Sequence, residues 1–371
     1  MKFLILTNHS YMLWQFRREL IEALLARGEV VIGTPFGERI ADFEAMGCRM
    51  IETAVDRRGI NPFKDMALYR TYRRLLKDEK PDIVITYSIK PNIYGGYACR
   101  RAGIPYCVNV QGLGTAFQKK GLAALVSVMY REALKQARVV FFENGDNAAL
   151  FRDQKIVPAE KQCLLPGAGV NLTRYAYQAY PKNDSVRILY LGRIMKEKGV
   201  DELFAAVDTL RGEGYRFALD LVGFFEDEYK AQVDRLVKEG VAVFHGFRED
   251  PRPYYAQADC VVLPSYHEGM SNVLLEAAAM GRPLITTDIG GCREAVSPDE
   301  SGFLCPVKDS EALTACLRRL LSLSHEEREA MGQAGRRRME ARFEKSMVVA
   351  ITVEAVMANQ TVETLPKQER N

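Results

Sequence analysis

Short apolar runs alternate with amphipathic stretches along most of the chain. Residues 2–7 are apolar and predict a strand, whereas residues 14–27 repeat apolar side chains at helical spacing and stop at Gly28. The same alternation predicts strands over residues 30–32, 82–86, 106–110 and 139–142, and helices over residues 62–80 and 93–102. Because these strands are apolar on both faces, they predict a parallel sheet covered by helices on each side.

The alternation stops between residues 166 and 185, where glycine, proline and asparagine are frequent. It then resumes and predicts strands over residues 186–191, 217–222, 242–244, 260–263 and 283–286, and helices over residues 200–211, 228–239, 272–280, 311–321 and 326–342. A helix over residues 346–357 has apolar residues on most sides, so we expect it to pack against a large surface.

The length of 371 residues favours two cores, because single cores stop growing below that size. We therefore predict an N-terminal Rossmann-like domain over residues 1–170, a connection over residues 171–185 and a second Rossmann-like domain over residues 186–345. A helix over residues 346–358 should pack back on the first domain, and residues 359–371 should form a loose tail.

The composition is that of a soluble globular chain, with 47% apolar and 27% charged residues. The eight cysteines form no C-x-x-C pair and no cluster with histidine, which argues against a disulfide framework or a zinc site and indicates a reducing compartment. The apolar start leads at once into polar residues, unlike a signal peptide, and no apolar run approaches the length that spans a bilayer. We expect a cytoplasmic protein, at most peripheral to a membrane.

Charge is distributed unevenly along the chain. Residues 1–180 contain 26 lysines and arginines against 17 aspartates and glutamates, whereas the whole chain contains 51 against 48. A basic N-terminal half is typical of a protein that meets phosphates or a membrane surface, and a solvated basic face explains the same excess.

The loop after strand 186–191 carries two cations at the start of a helix. It runs from Gly192 to Gly199 and contains Arg193 and Lys198. The free N–H groups and the dipole of a helix N-terminus favour an anion, and two converging cations would hold a diphosphate. A surface loop with two solvated cations is the alternative interpretation.

The loop after strand 260–263 carries two carboxylates. Glu268 lies in the loop, and Glu276 lies one turn into a helix that starts near Asn272. Glu276 is suited to accept both hydroxyls of a ribose, and Glu268 to accept hydroxyls of a hexose. The intervening residues that offer backbone N–H groups are Gly269, Met270 and Ser271. The alternative interpretation is that one carboxylate is a helix-capping residue and the other an exposed surface glutamate. This explains each carboxylate separately, but not the apolar residues around Glu276.

A third loop, from Asp288 to Glu294, contains the pair Gly290-Gly291, which lets the backbone approach a ligand closely. The sequence has no D-x-D pair of the kind that binds a metal ion. We therefore expect a site without a metal.

Together these loops form an ordered set, G-R-x4-K-G, P-S-x2-E-G-x-S-N-x3-E and G-G-x2-E, which resembles the donor-binding half of the family 4 glycosyltransferases. Members are retaining enzymes of GT-B fold, an α/β architecture in which two Rossmann-like domains face each other across a cleft. The resemblance implies that Glu276 binds the ribose, that Glu268 contacts the donor sugar, and that Arg193 and Lys198 stabilise the leaving diphosphate. It also places Phe247 in the base-binding loop.

The N-terminal half resembles the branch of this family that builds capsule, O-antigen and glycoprotein glycans on polyprenyl-diphosphate lipids. The likeness is carried by residues 8–10, 16–17, 90–96 and 112–117. This branch includes an N-acetylgalactosaminyltransferase that acts on undecaprenyl-diphosphate-linked diacetylbacillosamine. Many members have a histidine after the strand that is here 106–110; this chain has Gln111, which is therefore a polar positioning candidate.

All candidate acceptor residues lie in the N-terminal half. His9 is a candidate acceptor ligand or base, and Arg17 and Lys90 are candidate ligands of the acceptor's phosphates, although ordinary hydrogen-bonding or solvated roles fit each of them as well. Lys119 and Lys120 precede an apolar, partly basic helix over residues 122–131, which either faces a membrane interface or packs as a core helix.

We predict a metal-independent, cofactor-free retaining transferase that moves a hexose or N-acetylhexosamine from a UDP-sugar, with UDP-N-acetylgalactosamine favoured, to a polyprenyl-diphosphate-linked sugar. It would act at the inner face of the cytoplasmic membrane, without a nucleic-acid partner. Two alternatives stay open at this point: a GT-B sugar-nucleotide epimerase, which would need further acid and base groups, and a non-catalytic nucleotide-sugar-binding protein.

Overall fold

The computed structural model describes residues 1–56, 61–113, 117 and 120–358, and its contacts divide the chain into two compact units. The first unit contains Met1–Ala168 and the chain from Ser346 onward, and the second contains Gly169–Lys345. Each unit is built around its own sheet of parallel strands.

The first unit has a seven-stranded sheet. Its strands are β1 (Lys2–Leu6), β2 (Glu29–Thr34), β3 (Arg49–Glu52), β4 (Ile83–Tyr87), β5 (Tyr106–Val110), β6 (Val139–Phe142) and β7 (Gln162–Leu164). They pair in the order β3-β2-β1-β4-β5-β6-β7, so the strand order reverses between β1 and β4. Open α/β sheets bind ligands beside the carboxyl ends of the strands at such a reversal.

Helices cover both faces of this sheet. They are α1 (Ser10–Leu25), α2 (Ile40–Met46), α3 (Pro62–Glu79), α4 (Gly96–Ala102), α5 (Lys120–Leu134) and α6 (Gly145–Asp153). Alternate residues of β1 enter two separate cores: Leu4 and Leu6 pack with α3 to α6, whereas Phe3 and Ile5 pack with α1 and α2. This is why the strand is apolar on both faces.

The second unit has a six-stranded sheet. Its strands are β8 (Val186–Leu191), β9 (Phe217–Val222), β10 (Ala242–Gly246), β11 (Cys260–Leu263), β12 (Leu284–Thr287) and β13 (Gly302–Cys305). They pair in the order β10-β9-β8-β11-β12-β13, and the reversal lies between β8 and β11. The two units therefore repeat one topology.

Seven further helices complete the fold. They are α7 (Val200–Gly212), α8 (Lys230–Lys238), α9 (Arg252–Gln257), α10 (Asn272–Ala279), α11 (Ser310–Ser322), α12 (His325–Arg342) and α13 (Lys345–Met357). Val348, Val353 and Val356 of α13 lie in the same core as Phe3 and Ile5 of the first unit. Among the described residues, no helix is both long enough and apolar enough to cross a membrane.

The two parallel sheets confirm the predicted α/β fold with two Rossmann-like units. Several strands, among them β5, β6, β8, β9 and β11, have the bounds that the apolar pattern predicts. The pattern missed β3, β7 and β13, which are edge strands of three or four residues and offer too short an apolar run to detect. It also missed α2, α6 and α9.

Residues 169–185 pack with the second unit. Tyr175 and Tyr180 are buried there, and the Tyr180 hydroxyl donates to the Asp259 carbonyl at 2.6 Å. The glycines, proline and asparagines of this segment make it irregular, but its aromatic side chains anchor it to the second sheet.

Candidate functional site

Two loops of the second unit meet at the reversal of its strand order. One loop follows β8 and ends at Gly199, and the other follows β11 and begins at Pro264. Gly199 has φ +72°, and a Cβ there would lie 2.0 Å from the Pro264 carbonyl oxygen. The Tyr266 N–H donates to the Glu197 carbonyl at 2.9 Å. Only glycine allows so close an approach, and this approach brings the charged residues of both loops together.

Lys198 and Glu268 form an ion pair across these two loops. Lys198 Nζ donates to Glu268 Oε1, and Ser265 Oγ donates to the same oxygen at 2.8 Å. The lysine and glutamate side chains are only 17% and 13% exposed. The structure thus pairs Lys198, which was predicted to bind the diphosphate, with Glu268, which was predicted to bind the hexose. Ser265 belongs to the quoted loop motif, but its contact with Glu268 was not predicted.

Arg193 is paired with a different carboxylate. Its Nη1 donates to Glu226 Oε2 at 2.5 Å, and its side chain is 44% exposed. Its carbonyl accepts a hydrogen bond from the Tyr190 hydroxyl at 2.6 Å. Burial and the negative charge of Glu268 raise the pKa of Tyr190, whereas Arg193 lowers it. Tyr190 therefore stays a neutral donor that fixes the backbone at Gly192 and Arg193.

The glycine pair of the third loop packs against the loop that carries Glu268. Gly291 has φ +88°, and a Cβ there would lie 2.4 Å from the Gly269 carbonyl oxygen. The Ser271 N–H donates to the Gly291 carbonyl at 2.8 Å. Ser271 is the N-cap residue of α10, and Met270 beside it is buried. The third loop thus fixes the entry to the helix that begins at Asn272.

Glu276 lies one turn into α10, as the fifth of its eight residues, and is 8% exposed. The Tyr255 hydroxyl donates to Glu276 Oε2 at 3.0 Å. Burial raises the pKa of the Glu276 carboxyl to about 7, although Tyr175, Tyr255, Arg174 and Lys345 all act to lower it. The carboxyl is therefore near the midpoint of its titration at neutral pH. The sequence did not indicate that Tyr175 and Tyr255 lie beside Glu276, because both are distant from it along the chain.

Phe247 follows β10 and is 57% exposed. It packs edge-on against Phe224, which follows β9 and is 47% exposed, with 6.2 Å between the ring centroids. The two rings lie at the carboxyl ends of neighbouring strands and are inclined at 68° to each other, so each exposed ring offers its own apolar face to a planar group. Phe224 was missed, although the dipeptide Gly-Phe at residues 223–224 repeats that at residues 246–247.

Two of the candidate acceptor residues, His9 and Lys90, follow β1 and β4, the strands between which the strand order of the first unit reverses. His9 is the N-cap residue of α1 and is half-buried in the loop after β1. Lys90 follows β4, and its Nζ donates to Asp65 Oδ1 at 2.6 Å. Gln111 directly follows β5 and is half-buried. Lys119 lies outside the described residues, and Lys120 is the first residue of α5, although its side chain is not described.

Arg17 is a buried residue of α1. Its Nη2 donates to Glu143 Oε1, its guanidinium lies over the Tyr87 ring at 5.6 Å from the centroid, and its Nε has no hydrogen-bond partner among the described residues. A solvated role for Arg17 is therefore wrong, because both charged groups are shielded from water. Glu143 was missed, although it directly follows β6.

The helix over residues 122–131, for which a membrane interface and a core position were both left open, has two different faces. Val126 and Tyr130 of α5 are buried, whereas Leu125 and Val128 are more than half exposed. One face of α5 thus belongs to the core and the opposite face presents apolar side chains.

All eight cysteines are free, and all but Cys316 are buried. Within the described ranges, no group of three or more His, Cys, Asp or Glu side chains is arranged to hold a metal ion.

Two domain models match this chain. Residues 13–168 match a glycosyl transferase 4-like domain, and residues 185–323 match the glycosyl transferases group 1. Together the two matches span most of both units, and the second contains Arg193, Lys198, Phe247, Glu268 and Glu276.

Relatives and solved structures agree with these matches. The chain is 26% identical over 335 residues to the N,N'-diacetylbacillosaminyl-diphospho-undecaprenol alpha-1,3-N-acetylgalactosaminyltransferase of Campylobacter jejuni, which covers 85% of this chain and 88% of that protein. It is 29% identical over 296 residues to the UDP-Gal:alpha-D-GlcNAc-diphosphoundecaprenol alpha-1,3-galactosyltransferase of Escherichia coli, over 71% and 72% of the two chains. A sucrose-phosphate synthase structure from Thermosynechococcus elongatus shares the fold, with a TM-score of 0.78, 21% identity and coverage of 95% and 98%.

Proposed function

The chain belongs to the glycosyltransferase family described by these two domain models and has the GT-B fold, and we propose that it transfers a hexose or N-acetylhexosamine from a UDP-sugar to a sugar carried on a polyprenyl diphosphate. The product would be an intermediate of cell-surface glycan or glycoprotein glycan assembly. The observation that carries this proposal is the meeting of Lys198, Glu268 and the N-terminus of α10 at the strand reversal of the second unit.

The donor site is built from both loops at this reversal. The diphosphate would bind between Lys198, Arg193 and the free N–H groups at the start of α10, where positive charge and helix dipole act together. In the free protein each cation is held by a carboxylate, Lys198 by Glu268 and Arg193 by Glu226. A diphosphate that takes Lys198 from Glu268 would leave this carboxylate free to accept hydroxyls of the donor sugar.

The nucleoside part of the donor would occupy the neighbouring surfaces. Ionised Glu276 would accept the two ribose hydroxyls, and its buried setting would strengthen these charge-assisted hydrogen bonds. The exposed rings of Phe247 and Phe224 would contact the uracil face.

The reaction we propose is a same-face displacement. The bond from the anomeric carbon to the diphosphate oxygen breaks, an acceptor hydroxyl oxygen forms the new glycosidic bond, and its proton passes to the leaving phosphate. Lys198 and Arg193 would stabilise the charge that develops on the diphosphate, and stabilisation of this kind is usually the largest single contribution to catalysis. Metal independence is part of the proposal, because these cations take the place of a metal ion.

The acceptor is proposed from the relatives. Both enzymes compared above act on a sugar linked to undecaprenyl diphosphate, and their names differ in the transferred sugar, which is N-acetylgalactosamine in one and galactose in the other. UDP-N-acetylgalactosamine is therefore the favoured donor and UDP-galactose the first competitor. His9, Lys90 and Gln111 remain the proposed acceptor contacts, whereas Arg17 would reach the acceptor only if it leaves Glu143.

A donor panel tests this proposal. Purified protein is incubated with UDP-N-acetylgalactosamine, UDP-N-acetylglucosamine, UDP-galactose, UDP-glucose and GDP-mannose, with and without a short-chain polyprenyl-diphosphate sugar, in EDTA. We expect acceptor-dependent release of UDP from one donor and an NMR spectrum in which the new linkage keeps the anomeric configuration of that donor. Inversion would refute the mechanism, and release that needs a divalent ion would refute metal independence.

A further inference from the structure

His245 lies at an irregularity of β10, two residues before the exposed Phe247. The strand pairs regularly with β9 as far as Phe244, and the register then shifts so that Gly246 lies opposite Val222. His245 is therefore the extra residue of a β-bulge. A bulge bends its strand and changes the direction of the side chains that follow it.

The imidazole of His245 is held by a buried carboxylate on the neighbouring strand. Its Nε2 lies 2.7 Å from Asp220 Oδ1, and the Asp220 side chain is 6% exposed. A carboxylate oxygen only accepts hydrogen bonds, so Nε2 is the donor. Arg187 of β8 donates to the same carboxylate, with its Nε and Nη2 at 3.0 and 2.8 Å from Oδ2. Because Arg187 holds Asp220 independently, the carboxylate is a fixed anchor for the imidazole.

The backbone that follows His245 is bonded to the backbone that carries Phe224. The Gly246 carbonyl accepts a hydrogen bond from the Gly223 N–H at 3.0 Å. Phe224 and Phe247 come directly after these two glycines, and their rings are in contact. A displacement of the bulge would therefore move the Phe247 ring relative to Phe224.

The imidazole also contacts the helix that supports Glu276. The His245 ring packs edge-on against Tyr254 of α9, with 4.7 Å between the ring centroids. The next residue, Tyr255, is buried and donates to Glu276 Oε2 at 3.0 Å. His245 thus lies between the strand end that carries Phe247 and the helix that holds Glu276, the groups proposed above for the base and the ribose.

We propose that His245 is a positioning residue of the nucleoside site. Its hydrogen bond to Asp220 fixes the bulge of β10 in the geometry that places the Phe247 ring against the base of a nucleoside diphosphate. The inference deepens the proposed function and rests on it, because the nucleoside diphosphate is that of the sugar donor. His245 acts through Phe247 and does not itself contact the base.

The test is a double-mutant cycle on UDP binding by the full chain, measured by calorimetric titration. H245F keeps an aromatic ring beside Tyr254 and removes the hydrogen bond to Asp220, whereas H245Q keeps a donor at a similar reach. The matched control is H325F. His325 also packs edge-on against a tyrosine, with 5.1 Å between the centroids, and also makes a hydrogen bond through Nε2, with the Pro181 carbonyl at 3.1 Å. Thermal unfolding of each variant checks that the fold is intact.

We expect F247A to bind UDP about tenfold more weakly than the wild type, because stacking of a base on an aromatic ring is lost. H245F should bind roughly fivefold more weakly, since the ring stays but is displaced. H245Q and H325F should bind like the wild type. In the F247A background, H245F should cause no further loss, because the ring that His245 positions is already absent.

A second readout does not depend on UDP. Hydrogen exchange at the Gly223 N–H, which donates to the Gly246 carbonyl, should be faster in H245F than in H245Q or H325F. Equal exchange in all three variants would show that the hydrogen bond to Asp220 does not fix the bulge, and the inference would be wrong.

Three binding results would also overturn the inference: a H245F protein with wild-type affinity for UDP, equal losses in H245F and H325F, or a full additional loss when H245F is combined with F247A. If the wild type itself does not bind UDP, the proposed function fails and the inference fails with it. A failure confined to the His245 variants leaves the proposed function intact.

Discussion

Glu276 meets two opposing requirements in the free protein. Burial makes its ionised form costly and raises its pKa to about 7, yet an ionised carboxylate is the better acceptor for the hydroxyls of a ribose. Tyr255 compensates in part with its hydrogen bond at 3.0 Å. A ligand that donates to this carboxylate would relieve the cost, so we expect the residue to reduce stability in order to bind the donor.

Replacing Glu276 with glutamine separates stability from binding. The folded pKa lies above the ordinary 4.5, so the wild type carries no penalty below pH 4.5, an increasing one as pH rises towards 7, and the full one above 7. The free energy of unfolding of E276Q, measured with denaturant, should therefore exceed that of the wild type by up to about 3 kcal/mol above pH 7. Below pH 4.5 the two proteins should have the same free energy of unfolding.

The same variant should bind UDP about tenfold more weakly, because the charge of the acceptor is lost. In the wild type, UDP affinity should increase as pH rises through 7, and E276Q should lack this dependence. Calorimetric titration of UDP at several pH values measures both. Unchanged affinity in E276Q would remove Glu276 from the donor site.

Lys198 is the cation that the mechanism depends on most. K198A should lower kcat by about a hundred- to a thousandfold, because a preorganised charge is removed from the leaving group. K238A is the matched control, since Lys238 is exposed on α8 and should leave kcat unchanged. Steady-state kinetics with the preferred donor decides between them, and a K198A enzyme with normal kcat would contradict the proposed role.

Individual side chains were predictable where a loop motif carries them and not where the fold supplies a partner. Lys198, Glu268 and Glu276 stand out in the sequence because each follows a predicted strand in a characteristic context. The pairing of Lys198 with Glu268 spans 70 residues and appears only when β8 and β11 become neighbours. For the same reason the sequence did not indicate that Arg17 is buried against Glu143, which is 126 residues away.

At the scale of elements, the site depends on how closely two loops approach. Gly199 ends the loop after β8 and caps α7, and its φ of +72° directs the chain past the Pro264 carbonyl. Lys198 and Glu268 are positioned by this contact. A change here should therefore alter the geometry of the charged pair without touching either charge.

Two glycine substitutions isolate this contact. Gly240 has nearly the same φ, +70°, but a Cβ there meets nothing within 4 Å. G240A should lose about 1–2 kcal/mol, the strain of a left-handed alanine. G199A carries the same strain plus an overlap at 2.0 Å, so it should lose clearly more stability and also bind UDP weakly. Denaturant unfolding and UDP titration measure the two effects, and equal behaviour of both variants would show that the loop contact is unimportant.

The apolar pattern located most of the elements for a physical reason. Central strands such as β6 and β11 are buried along their whole length and therefore appear as continuous apolar runs. Edge strands such as β3 need fewer apolar residues and contain charged ones, including Arg49 and Glu52, so the pattern did not separate them from loops.

At the scale of the whole molecule, one topology occurs twice and each copy has a different electrostatic character. The first unit contains a cavity of about 740 Å³ whose charged lining is Arg70, Arg73, Arg74, Lys77, Asp78, Lys80 and Arg101, and the second contains cations that are paired with carboxylates at its strand reversal. This difference fits a division in which the first unit handles a lipid-linked acceptor and the second a nucleotide sugar. The apolar helix α13 was predicted to need a large packing surface, and its valines lie in the core of the first unit.

The central claim is that the chain extends a sugar on a lipid diphosphate by using a UDP-sugar, and one measurement tests it most directly. A fluorescent short-chain polyprenyl-diphosphate sugar is incubated with the protein and UDP-N-acetylgalactosamine in EDTA, and the lipid product is analysed by mass spectrometry. The account predicts a gain of one N-acetylhexosamine that requires both substrates and is strongly reduced in K198A. An acceptor that stays unextended with UDP-N-acetylgalactosamine and, in parallel reactions, with the other UDP-sugars of the donor panel, although the wild-type protein is folded, would contradict it.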